Sequence, residues 1–456
     1  MTTNNSPQSM RTFFIIWLGQ LVSIIGSGLT GFGLAVWIYE QTGQATPFAL
    51  TVMFGNLPQV LISPFAGALV DRWNRRLVMI IADTGSALIT LVFFLLLAFG
   101  QLAIWQIYLG VILSSVLASF QEPAYAASIT MLVPKKDLPR ANGLMQMGQA
   151  LQMLIAPVLA GILFVSIGLR GIIMIDAVTF FFAVGALLLV HIPQPQRTSQ
   201  AETAETSRSL WREAAFGWHY LRARRGLFGL LIFFALVNFF LNFSAVLLGP
   251  MVLSFGTAAG LGTAQTMGGV GMLIGSIAMS TWRGPKRRMT AVIGFIFLAS
   301  CGLFIAGLQS SVWVVAVGMF LLMFSVPFGS GLSQVIFQTK VEPAVQGRVF
   351  SIRTMIARSM MPVAFLLAGP LADQVFEPLL REGGALASTW IGTLVGVGPG
   401  RGIGALYLVS AVVLWAASGL AWANPHIRHV ETDLPDAVIE PDHSGEPLTG
   451  VVETAV

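Results

Sequence analysis

Apolar residues run along the chain in long blocks divided by short polar punctuation. Twelve such segments stand out, at about 13–39, 48–70, 77–99, 102–131, 141–168, 171–191, 227–253, 260–281, 290–308, 312–338, 346–371 and 402–423. About 20 helical residues cross ~30 Å of hydrocarbon, which is the length of these segments. A backbone inside hydrocarbon must satisfy its own hydrogen bonds, so each segment is a helix or a barrel strand. The segments exceed the ~10 residues of a barrel strand and do not alternate polar with apolar, which selects helices. The pattern predicts an all-α integral membrane protein with twelve transmembrane helices. The first segment lacks a small-residue cleavage site and opens a series, so it reads as a span rather than a cleaved signal.

Composition agrees. Of 456 residues 55% are hydrophobic and only 10% charged, against about 25% charged in an ordinary soluble domain. The single cysteine, Cys301, has no internal disulfide partner and says nothing of redox compartment. A net charge of +5 could point to an acidic partner, but its placement decides otherwise. With a cytoplasmic N-terminus, all Lys and Arg except Arg170, Arg381 and Arg401 fall in cytoplasmic loops or the inner ends of adjoining helices. Basic loops stay inside. Both termini are therefore expected in the cytoplasm, and nucleic acid is not implied.

The chain also repeats. A shift of 208 residues brings Gly67 onto Gly275, Arg75 onto Arg283, Arg140 onto Arg348 and Gly161 onto Gly369. One register aligns segments 2, 5, 8 and 11, as expected of two six-helix halves in parallel repeat. The predicted organisation is an N-terminal half (1–191), a cytoplasmic linker (192–226), a C-terminal half (227–423) and an acidic tail (424–456). In the linker, "SLWREAAFGWHYLRARR" (209–225) sets Leu210, Ala214, Trp218 and Leu221 near one helical face ringed by arginines. That suits a helix on the inner leaflet or a soluble linker helix. The tail carries seven acids against Arg428 and reads as disordered.

Charge inside a span needs a reason, because at mid-bilayer it costs at least ~2.5–3.5 kcal/mol. Glu122 lies about ten residues, or ~15 Å, from the inner end of its helix, beside Pro123, which can kink it. A carboxyl there suits proton or substrate binding, or partners a polar group. Asp83 lies two turns into the third helix, near the basic loop, and is assigned to a gate network before proton carriage. Asp176 lies about five residues in from the outer side and bonds neighbouring helices or takes part in coupling. Arg358 sits ten residues beyond Arg348, deep enough to need Glu122 or an anionic substrate, unless it snorkels inward. Gln146, Gln149 and Gln152 form one polar stripe, Asn238 and Asn242 another. Each stripe lines a cavity or joins helices.

"GALVDRWNRR" (67–76) resembles the signature loop between helices 2 and 3 of the major facilitator superfamily. Gly67, Leu69, Asp71, Arg72, Arg75 and Arg76 match; Asn74 stands where glycine is usual, and asparagine also tolerates a left-handed backbone. "WLGQLVSIIGSGL", "WIYEQTGQ", "EPAYAASITMLVPKKDLPRANGLMQ", "DAVTFFF" and "QGRVFS" are similar to the macrolide-efflux-type branch, which holds drug:proton antiporters and siderophore exporters. The resemblance implies that Asp71 faces the start of helix 11 near Gln346, held by Arg72 and Arg75, with Arg76 alongside, as a latch that closes the cytoplasmic side. A carboxylate at a helix N-terminus gains ~0.3–1 kcal/mol or more. Under the repeat, Met279 and Ser280 replace Asp71 and Arg72, so one latch is expected.

Pattern, charge placement and resemblance together predict a non-enzymatic secondary transporter of the inner membrane, exporting a bulky amphipathic small molecule, macrolide-like, by proton-driven alternating access. It is expected to act as a monomer in the bilayer, with protons and substrate as partners and no cofactor, metal or nucleic acid. Export of an endogenous siderophore, secondary metabolite or lysolipid is the alternative, and a membrane sensor or scaffold the alternative of another class. "GVGPGRGIGA" (396–405) imitates a phosphate loop but follows no strand, and the 373–401 connection reads as a flexible outer loop. His426 and His429 have no third ligand.

Overall fold

The computed structural model describes residues 10–70, 73–134, 137–190, 218–282, 284–285, 287–341 and 345–434. Its long helices are α1 (Met10–Thr42), α2 (Ala45–Val70), α3 (Arg75–Ala98) and α4 (Ile104–Leu132), then a helical stretch over Leu138–Leu189. Gly168 breaks that stretch into α5 (138–167) and α6 (169–189), with φ 68° and ψ −177°, a conformation open only to glycine. The second half holds α7 (Arg225–Leu253), α8 (Ala258–Thr281), α9 (Arg288–Leu308), α10 (Val312–Lys340), α11 (Gln346–Pro370) and α12 (Arg401–Ala423). Ten helices are long and apolar enough to span. Dividing the stretch at Gly168 makes eleven. The twelfth, α8, falls below that measure among its glycines and Gln265, which dilute its hydropathy.

Glycine spacing explains how tightly the first half packs. Gly19, Gly26 and Gly33 recur every seven residues on α1, and a Cβ there would strike Ala186, Thr179 and Leu169 in turn. Small residues let backbones approach where hydrocarbon gives helices no reason to associate. The same contacts show α6 antiparallel to α1, while Trp17 and Gly28 meet Gly148 and Ala156 of a parallel α5. The chain therefore reverses at Gly168. Large apolar side chains such as Phe181 (77% exposed) and Leu189 (84%) face outward, as befits a protein whose solvent is lipid.

Three local expectations are corrected. Asn74 is not left-handed: φ −70° and ψ 106° place it in extended backbone, where its Oδ1 accepts the Leu77 N–H at 3.1 Å and caps α3. Asparagine is among the best N-caps, so glycine's absence from the loop costs nothing here. The 373–401 connection is folded rather than flexible. After Pro370 it forms a π turn (Leu371–Phe376) and short helices Glu377–Leu380 and Trp390–Val395. Buried Glu377 then accepts from the Gly400 and Ile403 N–H groups, each at 3.1 Å. A carboxylate of the chain thus occupies the helix start that imitates a phosphate site.

The tail is the third, being ordered through Leu434. Short helices Pro425–Arg428 and Val430–Asp433 pack against the starts of α7 and α9. Ile427 fits against Gly229 and Val430 against Gly226. Glu431 Oε2 accepts the Met289 N–H at 2.8 Å, and the Lys340 ammonium donates to the carbonyls of Glu431 and Leu434. Glu431→Ala removes a cap from α9 and is expected to cost ~0.5–2 kcal/mol, read as a lower melting temperature with unchanged helix content. The rest of the tail and most of the linker helix lie outside the described residues; 218–223 is helical.

Candidate transport cavity and gates

A cavity of about 1130 Å³ lies between the halves, lined by α1–α6 on one side and by α7, α8, α10 and α11 on the other. It reaches Asp83, Glu122 and Asp176, three carboxylates from three helices that sequence depth alone did not bring together. Asp83, 2% exposed, accepts from Gln20 Nε2 at 2.9 Å and from Gln121 Nε2. Glu122 is exposed to the cavity and takes the Gln59 Nε2 hydrogen bond at 2.8 Å. Asp176, 1% exposed, is reached by Thr90 Oγ1 and Ser27 Oγ, both at 3.4 Å, tying α6 to α3 and α1. Every donor is neutral. Among the described residues no cation bonds these acids, and the lining contains no Lys or Arg.

The polar stripes divide. Gln149 and Gln152 line this cavity, and Gln152 Nε2 also donates to the Ile24 carbonyl at 3.1 Å. The side chain of Gln146 is outside the described set. Asn238 and Asn242 each donate back along α7, to Phe234 and Asn238 carbonyls at 2.8 and 2.7 Å. Asn238 lines a second cavity of about 470 Å³ inside the C-terminal half, together with Arg353 and Arg358; Asn242 lines neither. Arg358 and Glu122 therefore face different cavities and are not paired.

The two ends of the crevice differ. The start of α1 and the end of α12 share one face, because the start of α2 meets the end of α11 on the opposite face: Gly369 approaches Thr46 so closely that a Cβ would lie 2.5 Å from Thr46 Cα. There Asp373, presented by the wide π turn, receives three hydrogen bonds from the α2 start. Ala45 N–H donates at 2.9 Å, Thr46 N–H at 2.7 Å and the Thr46 hydroxyl at 2.5 Å. Beside it, α5 and α8 touch backbone to backbone, Gly161 on Ala258 and Gly262 on Pro157. The opposite face is shut. On the face of the described ends lie the end of α2 and the starts of α3 and α11.

The charged loop occupies that second face. Asp71 and Arg72 lie outside the described residues. Arg75 Nη1 donates to the Ala127 carbonyl at 3.0 Å and ties α3 to α4. Arg76 donates to the Leu187 and Leu188 carbonyls at 2.9 and 3.0 Å and ties α3 to α6. Sequence reading missed Gln20 and Gln59, whose signal was an amide in an apolar run, and Gln121, which stands next to Glu122. It also missed Asp373, which stands just past Pro370 with Thr46-Pro47 waiting at another helix start.

The comparisons with known proteins agree with this architecture. Macrolide efflux protein A of Streptococcus pyogenes is 30% identical over 372 residues, covering 80% of this chain and 90% of that protein. Its namesake from Enterococcus faecalis is 30% identical over 330 residues, covering 70% and 99%. Multidrug efflux pump Tap of Mycobacterium bovis is 25% identical over 376 residues, covering 79% and 87%. Among solved structures, an inward-facing, unoccupied bacterial homolog of the human lysosomal transporter Spinster superposes with a TM-score of 0.62 at 15% identity, over 91% and 98% of the two chains. Nucleoside transporter NupG gives 0.62 at 15% over 90% and 99%. Residues 16–365 match the model of the Major Facilitator Superfamily, and with its twelve-helix fold the chain belongs to that family.

Proposed function

We propose that the protein is a proton-driven exporter of bulky, cationic or neutral amphipathic molecules, macrolides among them, acting as a monomer in the inner membrane with both termini cytoplasmic. The observation that carries this reading is the acid-only central cavity. Three carboxylates bonded by neutral donors can be neutralised by protons or by a cationic substrate, and each occupant displaces the other. That competition couples two opposed flows. Glu122 is the proton and substrate carboxylate, because it alone of the three stands exposed to the cavity. Asp83 and Asp176 hold α1, α3, α4 and α6 in register. Asp71, with Arg72, Arg75 and Arg76, closes the cytoplasmic end against the start of α11, while Asp373 closes the other end; the two are made in turn. The names of the efflux relatives support the cargo class.

Proteoliposomes loaded with radiolabelled erythromycin test this. A pH gradient is expected to drive erythromycin against its own gradient in the wild type. Glu122→Gln is expected to lose that drive yet keep exchange down a concentration gradient. Gln59→Leu is expected to slow driven flux about two- to tenfold, the worth of one hydrogen bond of ~0.5–1.5 kcal/mol. Wild-type flux indifferent to pH would refute proton coupling. No flux under any gradient would favour the sensor or scaffold.

A further inference from the structure

The second cavity does not belong to the central one. Its lining comes from α7, α9, α10, α11 and α12, and no residue is shared between the two. Its volume, about 470 Å³, falls within the ~300–1,000 Å³ of small-molecule sites. The walls are apolar, with Phe234, Phe295 and Phe350 prominent. The charge is wholly positive: Arg353 and Arg358 line it and no Asp or Glu does. Its chemistry is the inverse of the central cavity's.

The two arginines are placed differently. Arg353 is half-buried; Nη1 donates to Gln334 Oε1 at 2.7 Å and the guanidinium carbon lies 4.8 Å from the Phe337 ring centroid. Those neighbours are neutral, and among the described residues no acid bonds it. Arg358 is the middle residue of α11 and lies inside the apolar span Ile352–Leu380, where charge is costly. Among the described residues it makes no hydrogen bond or ion pair. A guanidinium fork matches an anionic oxygen pair in shape as well as charge. Two such forks over an aromatic floor describe a site for a molecule with an anionic head and an apolar body.

We propose that this cavity binds a single-headed anionic amphiphile, its carboxylate on Arg358 with Arg353 behind it and its chain against Phe234, Phe295 and Phe350. The site stands whether or not the central cavity carries macrolides, since it shares no residue with it. It would serve as a lipid-sensing or second-cargo site in the C-terminal half.

Full-length protein in nanodiscs of zwitterionic lipid tests this by equilibrium binding of radiolabelled dodecanoate. Saturable binding is expected, displaced by dodecyl phosphate but not by dodecanol or dodecyltrimethylammonium. Arg358→Gln is expected to weaken binding at least about tenfold, the loss of one charge-assisted contact, and Arg358→Lys to recover most of it. Arg353→Gln is expected to weaken it less. Ala357→Phe fills the cavity without touching charge and is expected to abolish binding. Displacement by dodecanol as strong as by dodecyl phosphate would overturn the proposal, leaving apolar burial alone. So would retained affinity in Ala357→Phe, or in Arg358→Gln with normal melting temperature. If Arg358→Gln does not fold, the Ala357→Phe result and the probe series decide.

Discussion

Replacing Gly262 with valine is expected to abolish transport and to hold the crevice open on the face opposite the termini. A Cβ at Gly262 would sit 2.4 Å from the Pro157 carbonyl oxygen and 3.1 Å from its carbon. The neighbour is backbone on a packed helix, so no rotamer change can relieve the clash. The reciprocal contact is equally close, since a Cβ at Gly161 would lie 2.6 Å from the Ala258 oxygen. Overpacking of this kind costs ~1–3 kcal/mol in a core. Here the cost falls on one conformation alone, because parting α5 and α8 removes the contact. A state-specific cost of that size moves the balance about 5- to 150-fold toward the open face. The check is a Gln265→Cys probe in the central cavity, on a Cys301→Ser background. A membrane-impermeant maleimide applied from the opposite face should label it faster with Gly262→Val than without. Gly185→Ala is the control, since nothing lies within 4 Å of its Cβ, and should leave labelling and transport as they were. Transport at the wild-type rate in Gly262→Val would show that the seam does not need to close.

What the chain discloses by itself depends on what hydrocarbon enforces. Twelve apolar runs stand out because an unsatisfied backbone group in lipid is too costly to leave. The exception, α8, is informative: glycines that fit it against Pro157 and Phe320 lower its hydropathy, so the demands of packing mask the demands of solvent. Depth along a helix is equally legible, which is why Glu122 and Arg358 stand out as charges far from either end. Azimuth is not. Whether Arg358 meets Glu122 depends on how each helix is turned about its axis, and the two groups face separate cavities.

Glycine composition misleads in the 373–401 connection for a related reason. Flexible linkers and tight turns call for the same residue, and Gly396, Gly398 and Gly400 serve turns with φ of 92°, 127° and 76°. What fixes that segment is Glu377, acting across 23 residues on the start of α12. The tail is a comparable case. Its acids suggested a solvated strand of charge, yet Glu431 finds the unpaired N–H at the start of α9, 142 residues distant. Such long-range caps leave no local periodicity. They can be found from sequence only by asking where each helix start obtains its missing acceptor.

That question leads to Asp373, whose replacement by alanine is expected to open the same face without any clash. The α2 start has two N–H groups and one hydroxyl directed at a single carboxylate, and the charge also meets the positive end of the helix. Taking ~1.5–3 kcal/mol for the charge-assisted set as a whole, removal shifts the balance about 10- to 150-fold toward the open face. Asp373→Asn keeps one accepting oxygen and should fall between alanine and wild type. Thr46→Val deletes only the hydroxyl and should have the smallest effect. Spin labels at exposed Gln44 and Gln374 flank the contact, and their distance distribution should broaden to longer values in that order. A structural role alone would lower the melting temperature and leave the distances in place. The order matters because Asp373 stands just beyond the C-terminal end of α11 and next to the start of α2, while in the sequence Asp71 directly follows the end of α2. If both latches act in the cycle, Asp71→Ala should move the same distances the opposite way. The double variant should then return the balance toward wild type while slowing transport more than either single change. Distances unchanged in Asp373→Ala would reduce this contact to a helix cap and leave the glycine seam to shut the face unaided.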